Sequence, residues 1–277
     1  MVRVEMLAVG KELLIGRTLD SNALWIGGRL ARMGSMIKEI TTVDDDLQEI
    51  GDALRGALDR SPDFLVVVGG LGPTPDDMTL EGIASAIGVG VRLNREALAL
   101  IREHYAKRGM ASFELTPART KMARMPAGSR PLRNEEGTAP GVRLVVGGTT
   151  IFCLPGVPSE MRSVFRGSVE PEVRARVGRI YRSYVRMNIV GVLESSLAPA
   201  LSRELRRHPE AYIKSHPRGI KEGVSRIEVD MVVAGPVKRK VDAEGEVVAR
   251  EMAGAVSGLG GRVERVRGLK GGEPAWT

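Results

Sequence analysis

Residues Leu65 to Thr79 read LVVVGGLGPTPDDMT, an apolar run followed at once by glycines and then by two aspartates. The apolar run is rich in β-branched valine, which predicts a strand buried in a parallel sheet. The glycines predict a sharp turn with bare backbone N–H groups, ahead of a helix that starts near Thr79. Such a turn is suited to binding phosphate oxygens.

The aspartates Asp76 and Asp77 introduce a conflict, because carboxylates in an anion-binding turn repel the anion. A hard divalent cation that bridges carboxylate and phosphate removes the conflict. The sequence therefore predicts a metal-assisted phosphate site at this turn. The alternative that stays open is a tight loop whose aspartates only cap the following helix.

The chain of 277 residues is longer than one typical domain, so we expect two domains. The formal net charge is +7, which favours polyanionic ligands such as nucleotides. Because the excess of basic residues is spread along the chain, a solvated charged surface explains it equally well. The scarcity of glutamine, with abundant arginine and glutamate, resembles the composition of a thermophile protein.

The single cysteine, Cys153, excludes an internal disulfide and fits a reducing compartment. We expect it to be a small buried apolar residue rather than a nucleophile. The start of the chain lacks a signal-peptide pattern, and no apolar run reaches membrane-spanning length. These features predict a cytoplasmic protein without membrane contact.

Apolar patterns predict alternating strands and helices at 5–9, 22–33, 35–43, 47–58, 64–68 and 79–87. This order predicts a mostly parallel sheet with right-handed crossovers. Glu12 follows the first strand, and Asp44-Asp45-Asp46 follows the second, at the edge where the glycine turn lies. Glu12 as a surface charge and the aspartate run as a helix cap are the alternatives.

The second half of the first domain adds a predicted helix at 116–125 and a hairpin, 142–146 and 149–154, around Gly147-Gly148. Leu154 to Met161 forms a second strand-to-helix turn, whose N–H groups are suited to an anion. After Pro171 the pattern becomes that of an α+β unit. We therefore divide the chain into 1–171, 172–266 and a flexible tail, 267–277. His104 and His208 are predicted to be surface residues without a metal-ligand neighbour.

Four blocks carry a resemblance to a known family: residues 9–16 with 21–23, residues 69–79, residues 137–141, and residues 154–161. With them, the first 170 or so residues resemble the CinA family of competence/damage-inducible proteins, whose N-terminal domain is akin to the MoaB/MogA domain of molybdenum-cofactor biosynthesis. Residues 191–227 resemble the small KH-like domain of archaeal members. From the length of the chain, we expect it to lack the C-terminal amidohydrolase domain of many bacterial members.

The resemblance implies a three-layer α/β/α domain with a nucleotide or pterin site, followed by a small α+β, KH-like domain. It implies metal-dependent hydrolysis of the pyrophosphate in ADP-ribose and related dinucleotides, with Mg or Co and potassium as cofactors. MogA-type relatives instead adenylylate molybdopterin. A non-catalytic module that binds a nucleotide or RNA is the third possibility. Relatives usually self-associate, which predicts a homo-oligomer, a dimer or a trimer.

The resemblance also assigns roles to individual residues. Asp77 and Asp45 match the catalytic acids, and Asp76, Asp77 and Glu12 match metal-binding positions. Ligand contacts are expected at Gly69, Gly70, Leu71, Gly72, Thr74, Thr138, Gly156 and Ser159. Two departures, Lys11 for a usual threonine and Asp44 for a frequent glycine, affect the details of the phosphate contacts. Nucleic-acid binding is disfavoured, because Gly219 and Gly223 are one position too far apart for the Gly-x-x-Gly loop of KH domains.

Overall fold

The computed structural model describes residues 2–109, 114 and 116–268. The chain divides into two compact units, Met1–Val177 and Gly178–Thr277. The boundary expected after Pro171 falls inside the helix Glu170–Val177. A π-helical turn, Phe165–Val169, precedes this proline and interrupts the regular hydrogen-bond ladder, so the helix accommodates a residue without an N–H.

The first unit contains eight strands and eight helices among its described residues. The strands are β1 Arg3–Val9, β2 Met36–Val43, β3 Phe64–Val68, β4 Val91–Leu93, β5 Arg124–Pro126, β6 Arg130–Leu132, β7 Gly141–Val146 and β8 Thr149–Leu154. The helices are α1 Lys11–Leu14, α2 Ser21–Met33, α3 Leu47–Asp59, α4 Thr79–Ala86, α5 Arg95–Lys107, α6 Pro117–Lys121, α7 Pro158–Val164 and α8 Glu170–Val177.

The main sheet has the order β2-β1-β3-β8-β7-β6. Strands β2, β1, β3 and β8 are parallel to their neighbours, whereas β7 and β6 pair antiparallel. Side chains of β3 alternate between two cores: Leu65 and Val67 pack on one face of the sheet, Val66 and Val68 on the other. Helices cover both faces, which confirms the predicted three-layer α/β/α arrangement with a mostly parallel sheet.

The helix predicted at 116–125 is wrong in its second half. Helix α6 ends at Lys121, and the chain then enters β5, which pairs with β4. The N–H of Asn94 donates to the carbonyl of Ala123 at 2.8 Å, and Met125 is buried. Tertiary pairing therefore overrides the local helical pattern. The predicted hairpin between β7 and β8 is confirmed, with Gly147 and Gly148 both at positive φ.

Cys153 lies in the middle of the sheet and is fully buried. Burial raises the pKa of its thiol to about 12, so the reactive thiolate is scarce at neutral pH. We expect the native protein to resist alkylation by iodoacetamide at pH 8 and to react rapidly in guanidinium chloride. Mass spectrometry measures the added mass. Rapid labelling of the folded protein would contradict the buried position.

The second unit consists of β9 Tyr181–Val190, α9 Glu194–Arg207, β10 Ala211–Lys221, β11 Val224–Gly235, α10 Lys238–Gly258 and β12 Arg262–Gly268. Its sheet has the order β10-β11-β9-β12, and every neighbouring pair is antiparallel. The predicted α+β class is confirmed. The element order βαββαβ is that of the ferredoxin-like, split-βαβ arrangement. The resemblance to a KH-like domain does not specify this topology.

One face of this sheet packs against α9 and α10 around a core of aliphatic side chains that includes Leu197, Val229 and Val248. The predicted tail lies outside the described residues from position 269 onward, and positions 267 and 268 end β12. Within the described residues, no helix combines the length and apolar composition that crossing a membrane requires.

The prediction that His208 is a surface residue without a metal-ligand neighbour is wrong. Its exposed fraction is 9%, and Glu204, Glu244 and Glu251 surround it. Glu251 is distant in sequence and reaches the histidine because α10 packs against α9, a contact that local sequence patterns do not report. His104 is partly buried, with no hydrogen-bond partner for its Nε2 among the described residues.

Candidate functional site

A cleft opens at the carboxyl ends of the parallel strands in the first unit. In the sheet, β2 lies on one side of β1, and β3 followed by β8 lies on the other side. The connection after β1 and the connection after β3 therefore run in opposite directions, which makes the boundary between β1 and β3 a topological switch point. Open α/β sheets place their ligand crevice at such a switch point. The cleft has a volume of about 510 Å³, which lies within the range of small-molecule pockets.

Most of the sequence-predicted site residues line this cleft. They are Glu12, Asp45, Gly69, Gly70, Leu71, Gly72, Asp76, Asp77, Thr138 and Gly156. Thr74 and Ser159 are exposed and are not among the lining residues. The Thr74 hydroxyl turns instead to the carboxylate of Asp77, and Ser159 lies on the first turn of α7.

The glycine turn has a backbone that other residues cannot adopt without strain. Gly69 and Gly70 have φ angles of 109° and 64°. A Cβ on Gly69 would lie 2.2 Å from the carbonyl oxygen of Val9, and one on Gly70 would lie 2.2 Å from Oγ1 of Thr79. Glycine is therefore required at both positions by conformation and by space.

This turn leaves backbone donors available. The Gly69 N–H donates to the carbonyl of Leu154 at 3.0 Å. Among the described residues, the N–H groups of Gly70, Leu71 and Gly72 have no acceptor. All three residues line the cleft. Successive unpaired N–H groups in a tight turn form an anion-binding concavity.

Thr79 supports the turn and was not recognised from the sequence as a site residue. It is fully buried. Its hydroxyl donates to the Gly69 carbonyl at 2.9 Å, and its N–H donates to the Gly70 carbonyl at 3.3 Å. Thr79, the first residue of α4, therefore holds the backbone of the turn in place through these two hydrogen bonds.

Replacing Thr79 with valine tests this support. The variant keeps the side-chain volume but leaves the buried Gly69 carbonyl without its donor, so we expect a loss of about 1–2 kcal/mol in the free energy of unfolding. Thr79→Ser keeps the hydroxyl and serves as the control. Urea denaturation followed by circular dichroism measures both variants. Equal stability of Thr79→Val and wild type would contradict the supporting role.

The three consecutive aspartates after β2 have three different roles. Asp46 caps α3, because its side chain accepts hydrogen bonds from two N–H groups at the start of that helix. Asp44 forms an ion pair with Nζ of Lys11 at 3.0 Å. Asp45 accepts a hydrogen bond from the Lys11 N–H at 3.0 Å and lines the cleft. The helix-cap alternative thus holds for Asp46 and not for Asp45.

The electrostatics of Asp45 indicate that acidic groups converge here. Its pKa is raised, first by burial and then by the negative charges of Glu12, Asp44 and Asp76, and the hydrogen bond from the Lys11 N–H opposes this shift only in part. Raised pKa values of this kind are frequent at functional sites. A carboxyl group with a raised pKa holds a proton more readily than an ordinary aspartate does, and Asp45 is among the residues that line the cleft.

The two aspartates of the glycine turn differ in their contacts. Oδ2 of Asp77 accepts hydrogen bonds from the N–H and the hydroxyl of Thr74, at 2.9 and 2.5 Å. A Cβ on Gly72 would lie 2.5 Å from the same oxygen. Asp77 therefore closes the turn and also faces the cleft. The pKa of Asp76 is lowered, first by hydrogen bonding from the Thr74 side chain and then by its own backbone N–H.

A further acid, Glu160, lines the cleft from α7 and was missed by the sequence reasoning. Its Oε2 accepts a hydrogen bond from Nδ2 of Asn134 at 2.7 Å, and the same amide donates to the Ala139 carbonyl. Gly137 leaves room for this carboxylate, since a Cβ there would lie 1.9 Å from it. The signal was present in the sequence, because Glu160 belongs to the block 154–161.

The charged residues that line the cleft limit the kind of cation it could hold. None of the lining residues is a lysine, arginine or histidine, whereas Glu12, Asp45, Asp76, Asp77 and Glu160 are acids. Among the described residues, no three of these carboxylates place oxygens within 4.8 Å of one another. The residues therefore suit an ion that takes one or two carboxylates and completes its shell with phosphate oxygens and water, as Mg²⁺ does.

One protein family matches the first unit, and individual relatives match most of the chain. Residues 5–175 match the family described as probable molybdopterin binding domain. A protein of Pyrobaculum arsenaticum is 42% identical over 224 residues, which cover 81% of this chain and 83% of that protein. A protein of Metallosphaera sedula is 40% identical over 263 residues, with 95% and 97% covered.

Among solved structures, the protein CinA of unknown function from Thermoplasma acidophilum is 44% identical to the aligned part of this chain. The alignment covers 62% of this chain and 98% of CinA, with a TM-score of 0.56. The predicted resemblance to the CinA family is therefore confirmed.

Proposed function

Since this chain belongs, through residues 5–175, to the family of probable molybdopterin-binding domains, we propose that the cleft of its first unit binds a phosphorylated pterin of the molybdopterin class. One observation carries the proposal: the N–H groups of Gly70, Leu71 and Gly72 have no acceptor among the described residues and line the cleft. These groups would hold the phosphate of the ligand. The side chains of Met122 and Val157 would give the planar ring an apolar surface.

The acids of the cleft imply a cation partner for the phosphate. One or two of the carboxylates of Glu12, Asp76 and Asp77 would hold it, and Mg or Co is the expected ion, with potassium as a further cofactor. Such an ion would polarise the phosphate and screen it from the carboxylates. Adenylyl transfer is one reaction this arrangement supports: an oxygen of the pterin phosphate bonds to the α-phosphorus of ATP, and pyrophosphate leaves.

The second candidate function is hydrolysis of the pyrophosphate in ADP-ribose and related dinucleotides. The raised pKa of Asp45, caused first by burial, favours it, because such a carboxylate is suited to take a proton from water. In that reaction water oxygen bonds to phosphorus, the anhydride P–O bond breaks, and the proton passes to Asp45. The N–H groups of the glycine turn would stabilise the negative charge on the phosphoryl oxygens.

Isothermal titration calorimetry with molybdopterin, ADP-ribose and ATP, each with and without Mg²⁺, Co²⁺ and K⁺, tests these proposals. We expect molybdopterin to bind and the binding to be lost in Gly70→Ala. Pterin-dependent consumption of ATP identifies the transferase, and formation of AMP from ADP-ribose identifies the hydrolase. Binding without either reaction identifies a ligand-sensing module. Failure of both molybdopterin and ADP-ribose to bind under all conditions would contradict the proposed function.

The homo-oligomer, dimer or trimer, stays a prediction, as do the cytoplasmic location and the absence of nucleic-acid binding. Four apolar side chains around α1 and α2 favour self-association: Leu14, Ile15, Leu19 and Leu24 are each more than half exposed. Sedimentation equilibrium is expected to give a mass of two or three chains. A monomer at all concentrations would contradict the prediction.

A further inference from the structure

We propose that Glu204, His208 and Glu251 in the second unit form a binding site for a divalent transition-metal ion, with Zn²⁺ as the best match. All three residues belong to the second unit, and none of them lines the proposed pterin cleft. Glu204 and His208 lie one helical turn apart at the end of α9, and Glu251 lies on α10. Histidine nitrogen and carboxylate oxygen together are ligands that Zn²⁺ prefers.

The donor atoms are already close together. One donor atom from each residue lies within 4.8 Å of the other two. Nε2 of His208 is 3.0 Å from Oε2 of Glu251 and 4.0 Å from Oε2 of Glu204. Ligands about 2.1 Å from a tetrahedral Zn²⁺ lie about 3.4 Å from one another, so small side-chain adjustments would bring these atoms into the coordination shell.

Glu204 provides an independent indication that a cation binds at this position. The residue is 1% exposed. Its Oε1 accepts a hydrogen bond from Nε of Arg203 at 3.0 Å, whereas its Oε2 has no hydrogen-bond partner among the described residues. That oxygen faces the histidine ring. A buried carboxylate oxygen without a partner is costly, and a metal ion would satisfy it.

The outer contacts of the site also fit a metal-binding histidine. Nδ1 of His208 lies 2.5 Å from Oε1 of Glu244. With the ring proton on Nδ1 and donated to this carboxylate, Nε2 presents its lone pair toward Glu204 and Glu251. A carboxylate that orients the second ring nitrogen in this way is a regular partner of metal-bound histidine.

The alternative without a metal is a protonated His208 that bridges Glu244 and Glu251. The hydrogen bond to Glu251 and, after the opposing effect of burial, that to Glu244 raise the pKa of His208, which supports such an ion pair in the metal-free chain. This pairing leaves Oε2 of Glu204 without a hydrogen-bond partner among the described residues, since Nε2 of His208 lies 4.0 Å away. The metal site accounts for all four side chains, and the ion pair accounts for three.

The test uses the full-length, metal-free protein and titration with Zn²⁺ against a chromogenic chelator, with Co²⁺ absorption as the spectroscopic readout. We expect one tightly bound Zn²⁺ per chain at this site and intense visible bands of nitrogen-and-oxygen-ligated Co²⁺. His208→Gln and Glu251→Gln are expected to weaken Zn²⁺ binding at least about 100-fold, and Glu244→Gln about 10- to 100-fold.

Two controls separate this site from the rest of the molecule. Glu246→Gln changes an exposed acid on α10 and is expected to leave Zn²⁺ affinity unchanged. Asp45→Asn is also expected to leave it unchanged, so failure of the pterin cleft and failure of this site are distinguishable. If His208→Gln does not fold, Glu251→Gln carries the test. No Zn²⁺ binding by wild type, binding that survives His208→Gln and Glu251→Gln, or binding lost in Asp45→Asn would overturn the proposal.

Discussion

Gly70→Ala is expected to destabilise the first unit by about 2–5 kcal/mol and to abolish ligand binding. Two effects add: alanine at a φ of 64° is strained, and its Cβ would lie 2.2 Å from Oγ1 of Thr79. Relief of that contact requires Thr79 to release the Gly69 carbonyl, which distorts the turn that presents the free N–H groups. Loss of stability and loss of binding therefore have one origin.

Gly88→Ala is the matched control for this variant. Gly88 has a similar φ of 70°, but an added Cβ there would meet no atom within 4 Å. We expect only the conformational cost, about 1–2 kcal/mol, and unchanged ligand binding. Urea denaturation and calorimetric titration measure the two quantities in both variants. Equal losses in Gly70→Ala and Gly88→Ala would show that the packing of the turn contributes nothing.

Asp45→Asn is expected to lower metal-dependent turnover of ADP-ribose about 10²- to 10⁴-fold while the fold is retained, if the cleft carries out hydrolysis. The amide cannot accept the proton of the attacking water and binds a cation poorly. It still offers an oxygen to the N–H of Lys11, which the Asp45 carboxylate contacts at 3.0 Å.

The neighbouring residue supplies the control for this second variant. Asp46 caps α3, and asparagine is an equally good capping residue. Asp46→Asn is therefore expected to keep both stability and turnover. Assays of AMP release under saturating Mg²⁺ compare the two variants. Turnover by wild type that Asp45→Asn leaves intact would exclude Asp45 as the base, whereas equal losses in both variants would indicate a general effect of charge in this loop.

The central part of the fold could be predicted from the sequence because its signals are local. The apolar run at 64–68 and the glycines that follow it predict a buried strand and a turn from adjacent residues alone. The burial of Cys153 follows in the same way from its apolar neighbours. By contrast, the pattern at 116–125 is helical in isolation, and only the pairing of β5 with β4 turns its second half into a strand.

The site was harder to predict in detail than the fold. The three aspartates Asp44 to Asp46 are chemically identical, so the sequence does not distinguish their roles. Those roles depend on the direction in which each side chain points as the chain enters α3. Thr74 and Ser159 belong to the predicted turn segments but are not among the residues that line the cleft. For His208 the prediction and the structure differ most. Its partners on α10 approach it only because two helices that are far apart in the sequence pack together.

In the proposed complex, the unpaired main-chain N–H groups of residues 70–72 receive the phosphate of the ligand. Amide proton–nitrogen correlation spectra of the ¹⁵N-labelled protein, recorded while molybdopterin is added, test it most directly. We expect the largest chemical-shift changes at the amides of Gly70, Leu71 and Gly72, and unchanged shifts at the amides of Gly88 and Gly148. Saturable binding of molybdopterin that leaves the three turn amides unchanged would contradict it.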